Sequence, residues 1–128
     1  MRYRAEIEAA MSGIGNHPET GVILPSDPAT NAQRKLSVEL AAHYRLPTVF
    51  ASRAAVADGG LMSYGVDIIE LFLQSAIYAD RILRGENPAD LPVQLPTKLE
   101  LAVNTKTART PGLDIPSWLP ATTDDVID

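Results

Sequence analysis

Polar and aromatic side chains follow three short apolar runs, and their chemistry is that of ligand binding. Each candidate stands at or just after the end of a run: Asp27 and Thr30 after 21–24, Ser52 after 47–51, and Tyr64 at the end of 61–64. A carboxylate accepts hydrogen bonds, a hydroxyl donates or accepts them, and a tyrosine ring packs on apolar groups. Asp27 and Thr30 are also good helix N-cap residues, so each position has a structural interpretation by itself. Together, on one edge of one sheet, they predict a binding cleft.

Residue sets that support catalysis or metal binding are missing from the sequence. The chain has no cysteine, which excludes thiolate nucleophiles and Cys-ligated metals. His17 and His43 have no second histidine or carboxylate at ligand spacing, and we interpret them as solvated side chains. The serines lack a G-x-S-x-G elbow, and the glycine pair 59–60 lacks the pattern of a phosphate loop. The acidic pair 124–125 is interpreted as a solvated tail. No catalytic residue, metal or cofactor is therefore predicted.

Short apolar runs alternate with amphipathic segments, which is typical of a βαβ architecture. The predicted elements are a helix over 5–11, strands over 21–24, 47–51 and 61–64, helices over 31–44, 53–57 and 66–84, an edge strand over 99–103, and a helical turn over 105–110. Leu36, Leu40 and Tyr44 form the apolar face of helix 31–44. Helix 66–84 is apolar on more than one face, so we expect it to be buried on two sides.

Length and composition predict a single α/β domain. The 128 residues fit one domain, and 45% hydrophobic and 21% charged residues are ordinary for a globular protein. Its segments are a leading helix and turn over 1–20, a βαβαβα core over 21–85, and a proline-rich connector, edge strand and acidic tail over 86–128. Trp118 and Leu119 are the expected anchors of that tail.

Charge and hydropathy disfavour two kinds of partner. The net charge is −5, whereas nucleic-acid binding needs a basic face. The longest apolar stretch, 66–83, is interrupted by polar residues such as Asp67 and Glu70, so no membrane span is predicted. The first residues lack the apolar core of a signal peptide, so the chain is expected to be cytoplasmic if this sequence is the complete product.

Two sets of motifs make the chain resemble a known family. The first is segment 24–28 (LPSDP) with 59–65 (GGLMSYG), and the second is run 79–94 (ADRILRGENPADLPVQ) with 96–101 (PTKLEL). These segments are similar to those of bacterial ABC-transporter substrate-binding proteins, within the tryptophan/tyrosine-type branch with a type I periplasmic binding fold. The resemblance extends from Glu6 to the C-terminus.

The resemblance implies a partial Rossmann-like (flavodoxin-like) lobe of such a protein, with three short parallel strands plus an edge strand, flanked by helices. Since family members have two lobes, we expect this chain to be the C-terminal portion, an incomplete domain. Strand 22–24 would expose an apolar edge, and helix 66–84 would lose the other lobe as a packing partner. We therefore expect a homodimer through strand 22–24 or helix 66–84.

The resemblance also implies a function, the binding of a small organic solute for an ABC importer. Asp27 would receive a ligand ammonium, and Tyr64 would stack on an apolar portion. Thr30, with the N-terminal amides of helix 31–44, would hold a carboxylate or polar group, and Ser52 would complete the lining. The implied partners are the solute, an amino acid in one branch, and an ABC permease. The implied compartment is the periplasm or the cell surface.

Two alternatives to solute binding stay open at this point. The first is a remnant α/β domain that oligomerises as a structural or interaction protein and binds no solute. The second, a small enzyme of flavodoxin-like shape, is disfavoured because no acid, base, nucleophile or phosphate loop is found.

Overall fold

The computed structural model describes residues 2–15, 17, 19–110, 116, 118–121 and 123–127. The chain divides into two compact units, unit 1 with Met1–Gly65 and Glu100–Asp128, and unit 2 with Val66–Leu99. In chain order the elements are α1 (Arg2–Ile14), β1 (Val22–Leu24), α2 (Pro28–Ala32), α3 (Arg34–His43), β2 (Thr48–Phe50), α4 (Arg53–Ala57), β3 (Met62–Val66), α5 (Ile68–Leu83), a 3-10 turn (Pro88–Asp90), β4 (Leu99–Asn104), α6 (Thr105–Ala108), α7 (Trp118–Ala121) and β5 (Asp125–Ile127).

A five-stranded sheet in the order β1-β2-β3-β4-β5 forms the centre of the fold. β1 and β2 are parallel, with Leu24 opposite Phe50, and β2 and β3 are parallel, with Phe50 opposite Ser63. β4 and β5 are also parallel. The predicted α/β fold, with three short parallel strands and flanking helices, is confirmed.

Two apolar clusters hold α1, α3 and α4 on the sheet. The first consists of Met11, Ala41 and Leu46, with Ile7, Val22, Leu24, Leu40 and Tyr44 among the residues packed against it. The second consists of Val38, Phe50 and Ala55, again with Leu24. Leu36 is buried, and Leu40 and Tyr44 are partly buried, so the predicted apolar face of α3 is confirmed.

The helix predicted over 31–44 is two helices that meet at Gln33. Asp27 caps α2 by accepting a hydrogen bond from the Ala29 amide at 2.8 Å, and Pro28 occupies the first turn. This pair is a strong helix start upstream of the predicted one. Gln33, at φ −106° and ψ 19°, lies outside the helical region and separates α2 from α3.

The chain passes from β3 to α5 two residues later than predicted. The predicted strand ends at Tyr64 and the predicted helix begins at Val66, but β3 continues through Gly65 to Val66, and Asp67 caps α5. A side chain at position 65 would collide with the backbone carbonyl of Ala51. Glycine is therefore required here for close approach of two backbone segments, and the capping carboxylate starts the helix.

The last strand extends the sheet beyond β4, which the sequence placed at an edge. The Asp124 amide donates to the Leu101 carbonyl at 2.9 Å, and an Asp124 carboxylate oxygen accepts from the Leu101 amide at 2.8 Å. Asp125 lies in β5 and pairs with Arg53. The interpretation of 124–125 as a solvated tail is therefore wrong. Its carboxylates have partners far away in sequence, which local composition does not reveal.

Two expected burials are not found. α5 contains no buried residue, and large apolar side chains such as Ile69 and Phe72 are exposed. Trp118 is 62% exposed, so it is not the expected anchor of the tail, whereas Leu119 is partly buried. Among the described residues, no helix is long and apolar enough to cross a membrane.

In unit 2, the segment after α5 runs back along the helix. Three side-chain contacts attach it, listed from the end of α5 to its beginning: Arg81 Nε to Glu86 Oε2 at 2.6 Å, the Tyr78 hydroxyl to the Pro92 carbonyl, and Lys98 Nζ to Asp67 Oδ2 at 2.7 Å. The Asp67 amide also donates to the Lys98 carbonyl at 3.2 Å. Unit 2 is therefore a helix with a returning strap, residues 84–98.

Candidate ligand-binding site

The carboxyl ends of β1, β2 and β3 form the candidate site. The register places Leu24, Phe50 and Ser63 in one line across the three strands. The residues that follow this line share one edge of the sheet, and these include Asp27, Ser52 and Tyr64. Ligands of open α/β sheets bind outside this edge.

A small cleft opens between these strand ends and α2, α3 and α4. Its lining residues are Leu24, Pro25, Thr30, Asn31, Arg34, Ser37, Phe50, Ala51, Ser52 and Ala55, and its volume is about 20 Å³. That volume suits a water molecule, whereas a complete ligand pocket has roughly 300–1,000 Å³. Thr30 and Ser52 lie in this lining, and Asp27 and Tyr64 do not. The cleft can therefore hold one group of a ligand, not a whole one.

The hydroxyl groups of Thr30 and Ser52, which both line the cleft, have opposite hydrogen-bonding roles. The Thr30 hydroxyl donates to the carbonyls of Pro25 and Asp27, both at 3.0 Å, so its oxygen is left to accept. The Ser52 hydroxyl oxygen accepts from the Ala54 amide at 3.3 Å and caps α4. Its proton has no acceptor among the described residues, so Ser52 can donate to a ligand.

Asp27 and Tyr64 are accessible at the same edge of the sheet. One carboxylate oxygen of Asp27 is engaged by the Ala29 amide, and the other has no protein partner among the described residues. Tyr64 is 56% exposed on β3, so one side of its ring and its hydroxyl can meet another molecule. A charged acceptor and an aromatic surface are thus available at the carboxyl ends of β1 and β3.

Three polar lining residues were not among the predicted site residues: Asn31, Arg34 and Ser37. Arg34 Nε donates to Asp58 Oδ2 at 2.7 Å, and Asn31 donates to the Ser26 hydroxyl at 3.3 Å. Ser37 is buried and donates to the Gln33 carbonyl at 3.1 Å. Arg34 and Ser37 lie three residues apart on one face of α3, and Thr30 precedes them in α2. That spacing is the sequence signal that could have found them.

The side chains at this site offer hydrogen-bond donors and acceptors to a ligand. Among the described residues, no cluster of three His, Asp or Glu side chains could hold a metal ion. Both histidines are exposed, as predicted.

A sequence profile decides which family this is. The profile described as ABC transporter substrate binding protein matches residues 2–127, nearly the whole chain. The chain belongs to this family. ABC substrate-binding proteins bind solutes for transport and are not a class of enzyme, which agrees with the prediction from the sequence. A search among curated proteins finds no match.

Solved structures have the same fold. A conserved domain protein from Vibrio cholerae O1 biovar El Tor is 24% identical, with a TM-score of 0.83 over 96% of this chain and 41% of its own. The L-Trp complex of an ABC domain from Streptococcus pneumonia is 23% identical, with a TM-score of 0.82 over 97% of this chain and 43% of its own. A ligand-free, open substrate-binding protein with adhesive properties from Clostridium difficile is 21% identical, with a TM-score of 0.65 over 98% of this chain and 41% of its own. The chain thus spans less than half the length of each of these three solved chains.

Proposed function

We propose that the chain is the solute-binding component of an ABC importer, or its C-terminal lobe, and that it holds an amino acid at the carboxyl edge of β1, β2 and β3. Asp27, Thr30, Ser52 and Tyr64 are the proposed contacts. In this proposal the protein acts in the periplasm or at the cell surface and delivers its solute to an ABC permease. The observation that carries the proposal is family membership over residues 2–127.

The chemistry at the sheet edge supports an amino acid as the solute. The free carboxylate oxygen of Asp27 suits an ammonium group, and the exposed ring of Tyr64 suits an apolar or aromatic side chain. The pneumococcal structure was solved with L-Trp, which carries both groups. An aromatic amino acid is therefore the first solute to test.

Ligand-induced stabilisation of the 128-residue chain tests the proposal. A ligand that binds the native state raises the melting temperature by mass action, so each of the twenty amino acids is added at millimolar concentration. We expect an aromatic amino acid to give the largest upward shift, and calorimetry then gives its Kd. If none of the twenty shifts the melting temperature or gives a heat of binding, the proposal is wrong.

Two substitutions test the proposed contacts. Asp27→Asn keeps an oxygen that can cap α2 but removes the charge, so we expect about tenfold or greater loss of affinity with unchanged stability. Tyr64→Ala removes the ring and should also weaken binding. Asp90→Asn makes the same charge change in unit 2 and should bind as tightly as the wild type. Wild-type affinity in both site variants would refute the assignment.

A second candidate, an oligomerising domain that binds no solute, is favoured by the apolar surface of α5. Ile69, Leu73 and Ile77 are each at least 57% exposed and lie four residues apart on one helical face, and Phe72, which is 70% exposed, lies three residues after Ile69. Contiguous apolar patches of this kind mark interaction surfaces. β1 lies at an edge of the sheet, with Ile23 exposed, and offers a second surface for pairing. A homodimer through α5 or β1 is the corresponding proposal.

Sedimentation velocity at tens of micromolar distinguishes this candidate. A homodimer through α5 should become monomeric when Ile69→Asp and Phe72→Asp are combined. Val93→Asp with Leu95→Asp is the matched control, since it adds the same charge at exposed apolar positions of the strap. A wild-type monomer would exclude the homodimer, and a dimer that persists in the α5 variant would direct attention to β1.

A further inference from the structure

We infer that Arg34 and Ser52 hold the carboxylate of the solute, so that this site selects ligands carrying a carboxylate group. The inference rests on the proposed function and adds to it a specificity-determining residue that the sequence did not indicate. It also changes the expected role of Thr30, which the resemblance had associated with a carboxylate or polar group.

Arg34 is the cationic residue in the lining of the cleft. Its Nε donates to Asp58 Oδ2 at 2.7 Å, which restrains the guanidinium, and about one third of the side chain (34%) is exposed. Among the described residues, its two terminal nitrogens have no hydrogen-bond acceptor. A guanidinium offers five N–H donors in a planar fork that matches a carboxylate, so a ligand can use the donors that Asp58 leaves free.

The donors and acceptors around the cleft are divided in a way that fits an amino acid. Ser52 and Arg34 have unused donors, which suit a carboxylate. The Thr30 hydroxyl already donates to two backbone carbonyls, so its oxygen remains as an acceptor, and the free carboxylate oxygen of Asp27 is a second acceptor. These acceptors suit an ammonium group. The helix that the sequence placed at 31–44 begins at Arg34 as α3, and residues up to Ala32 belong to α2.

Asp58 influences how strongly the Arg34 guanidinium attracts a ligand carboxylate. It neutralises part of the Arg34 charge before a ligand binds, and a ligand carboxylate must share the guanidinium with it. Removal of the Asp58 charge should therefore strengthen carboxylate recognition, whereas removal of the Arg34 charge should weaken it. If the ion pair between Arg34 and Asp58 had only a structural role, removal of the two charges would not change ligand preference in opposite directions.

The test compares an acid with its neutral analogue. Calorimetry is carried out with the amino acid that binds most tightly among the twenty and with its carboxamide, which lacks the negative charge. We expect wild-type protein to bind the acid about 10- to 100-fold more tightly than the carboxamide, as charge-assisted hydrogen bonds predict. In Arg34→Gln this ratio should fall close to one, and in Asp58→Asn it should rise. Lys35→Gln removes the same charge from the neighbouring, exposed position and should keep the wild-type ratio.

Each result has a definite meaning. A wild-type ratio near one, or a ratio that Arg34→Gln leaves unchanged, overturns the inference while binding itself keeps the proposed function intact. Absence of binding by all twenty amino acids overturns both. If Arg34→Gln does not fold, as shown by circular dichroism, the direction of the change in Asp58→Asn decides, and an unchanged or lower ratio counts against the inference.

Discussion

The Asp67 carboxylate, which caps α5, also pairs with the Lys98 ammonium. The Lys98 ammonium and the amide of Glu70 hold the pKa of this carboxyl below its ordinary value of 3.8. Because the native state favours the ionised form, the resulting stability is fully present above the unfolded-state pKa. It is lost as pH falls through the lower native pKa. Acid should therefore weaken the start of α5 and its contact with Lys98.

Lys98→Met should raise the pKa of Asp67 toward 3.8, because it removes the hydrogen bond and the charge that favour the carboxylate. The measurement is an NMR titration of the Asp67 carboxyl carbon. The cap donated by the amides of Ile69 and Glu70 stays in place, so α5 should still begin at Ile68. Lys106→Met removes a lysine from unit 1 and should leave this titration unchanged. An Asp67 pKa that does not respond to Lys98→Met would contradict the account.

At the scale of elements, one glycine determines how β3 passes the end of β2. The position where a Cβ would form at Gly65 is occupied by the backbone carbonyl of Ala51, so the strand can pass only without a side chain. Gly13, in α1, has open space at its Cβ position. These two glycines make a matched pair for testing close backbone approach.

Gly65→Ala should destabilise the protein by about 1–3 kcal/mol, the cost of forcing extra volume into a packed site. Gly13→Ala should instead be neutral or stabilise by up to about 1 kcal/mol, because alanine is the better helix former. Denaturant unfolding followed by circular dichroism measures both. Equal effects in the two variants would show that the contact with Ala51 has no energetic importance.

Elements with a local signal were predictable, and elements that depend on distant partners were not. The strand around 22–24 and helix 53–57 follow from apolar runs and turn residues, and the structure has both. The Asp27-Pro28 start of α2 was available as a capping signal, but the periodicity of α3 obscured it. β5 could not be predicted, since Asp124 and Asp125 are fixed by Leu101 and Arg53. For the site, strand ends indicated Thr30 and Ser52, whereas the spacing of Arg34 and Ser37 along α3 is a weaker signal that does not by itself indicate a cleft.

At the scale of the whole molecule, the two units differ in how many of their side chains are buried. Unit 1 contains fully buried side chains such as Val56 and Val103, and the described part of unit 2 contains no buried residue. Local opening requires little free energy where few apolar contacts are lost. The two units should therefore differ in stability even though one chain connects them.

Native-state hydrogen exchange should show α5 opening at a lower free energy than β2 and β4. The experiment uses mass spectrometry in low concentrations of denaturant, at a protein concentration where the chain is monomeric. Amides of α5 should exchange through local fluctuations, whereas those of β2 and β4 should require global unfolding. Equal opening free energies for all three elements would mean that the units unfold as one.

The backbone hydrogen bond between Asp67 and Lys98 bears on which sequence changes unit 2 can tolerate during evolution. It joins the second residue of unit 2 to its second-last residue, so the polypeptide enters and leaves that unit at neighbouring points. A segment with adjacent ends can be lengthened, shortened or exchanged without moving the ends of the remaining sequence, as in natural domain insertions. We therefore expect that residues Val66–Leu99 could be exchanged for another segment with adjacent ends while the rest of the sequence keeps its order and its fold.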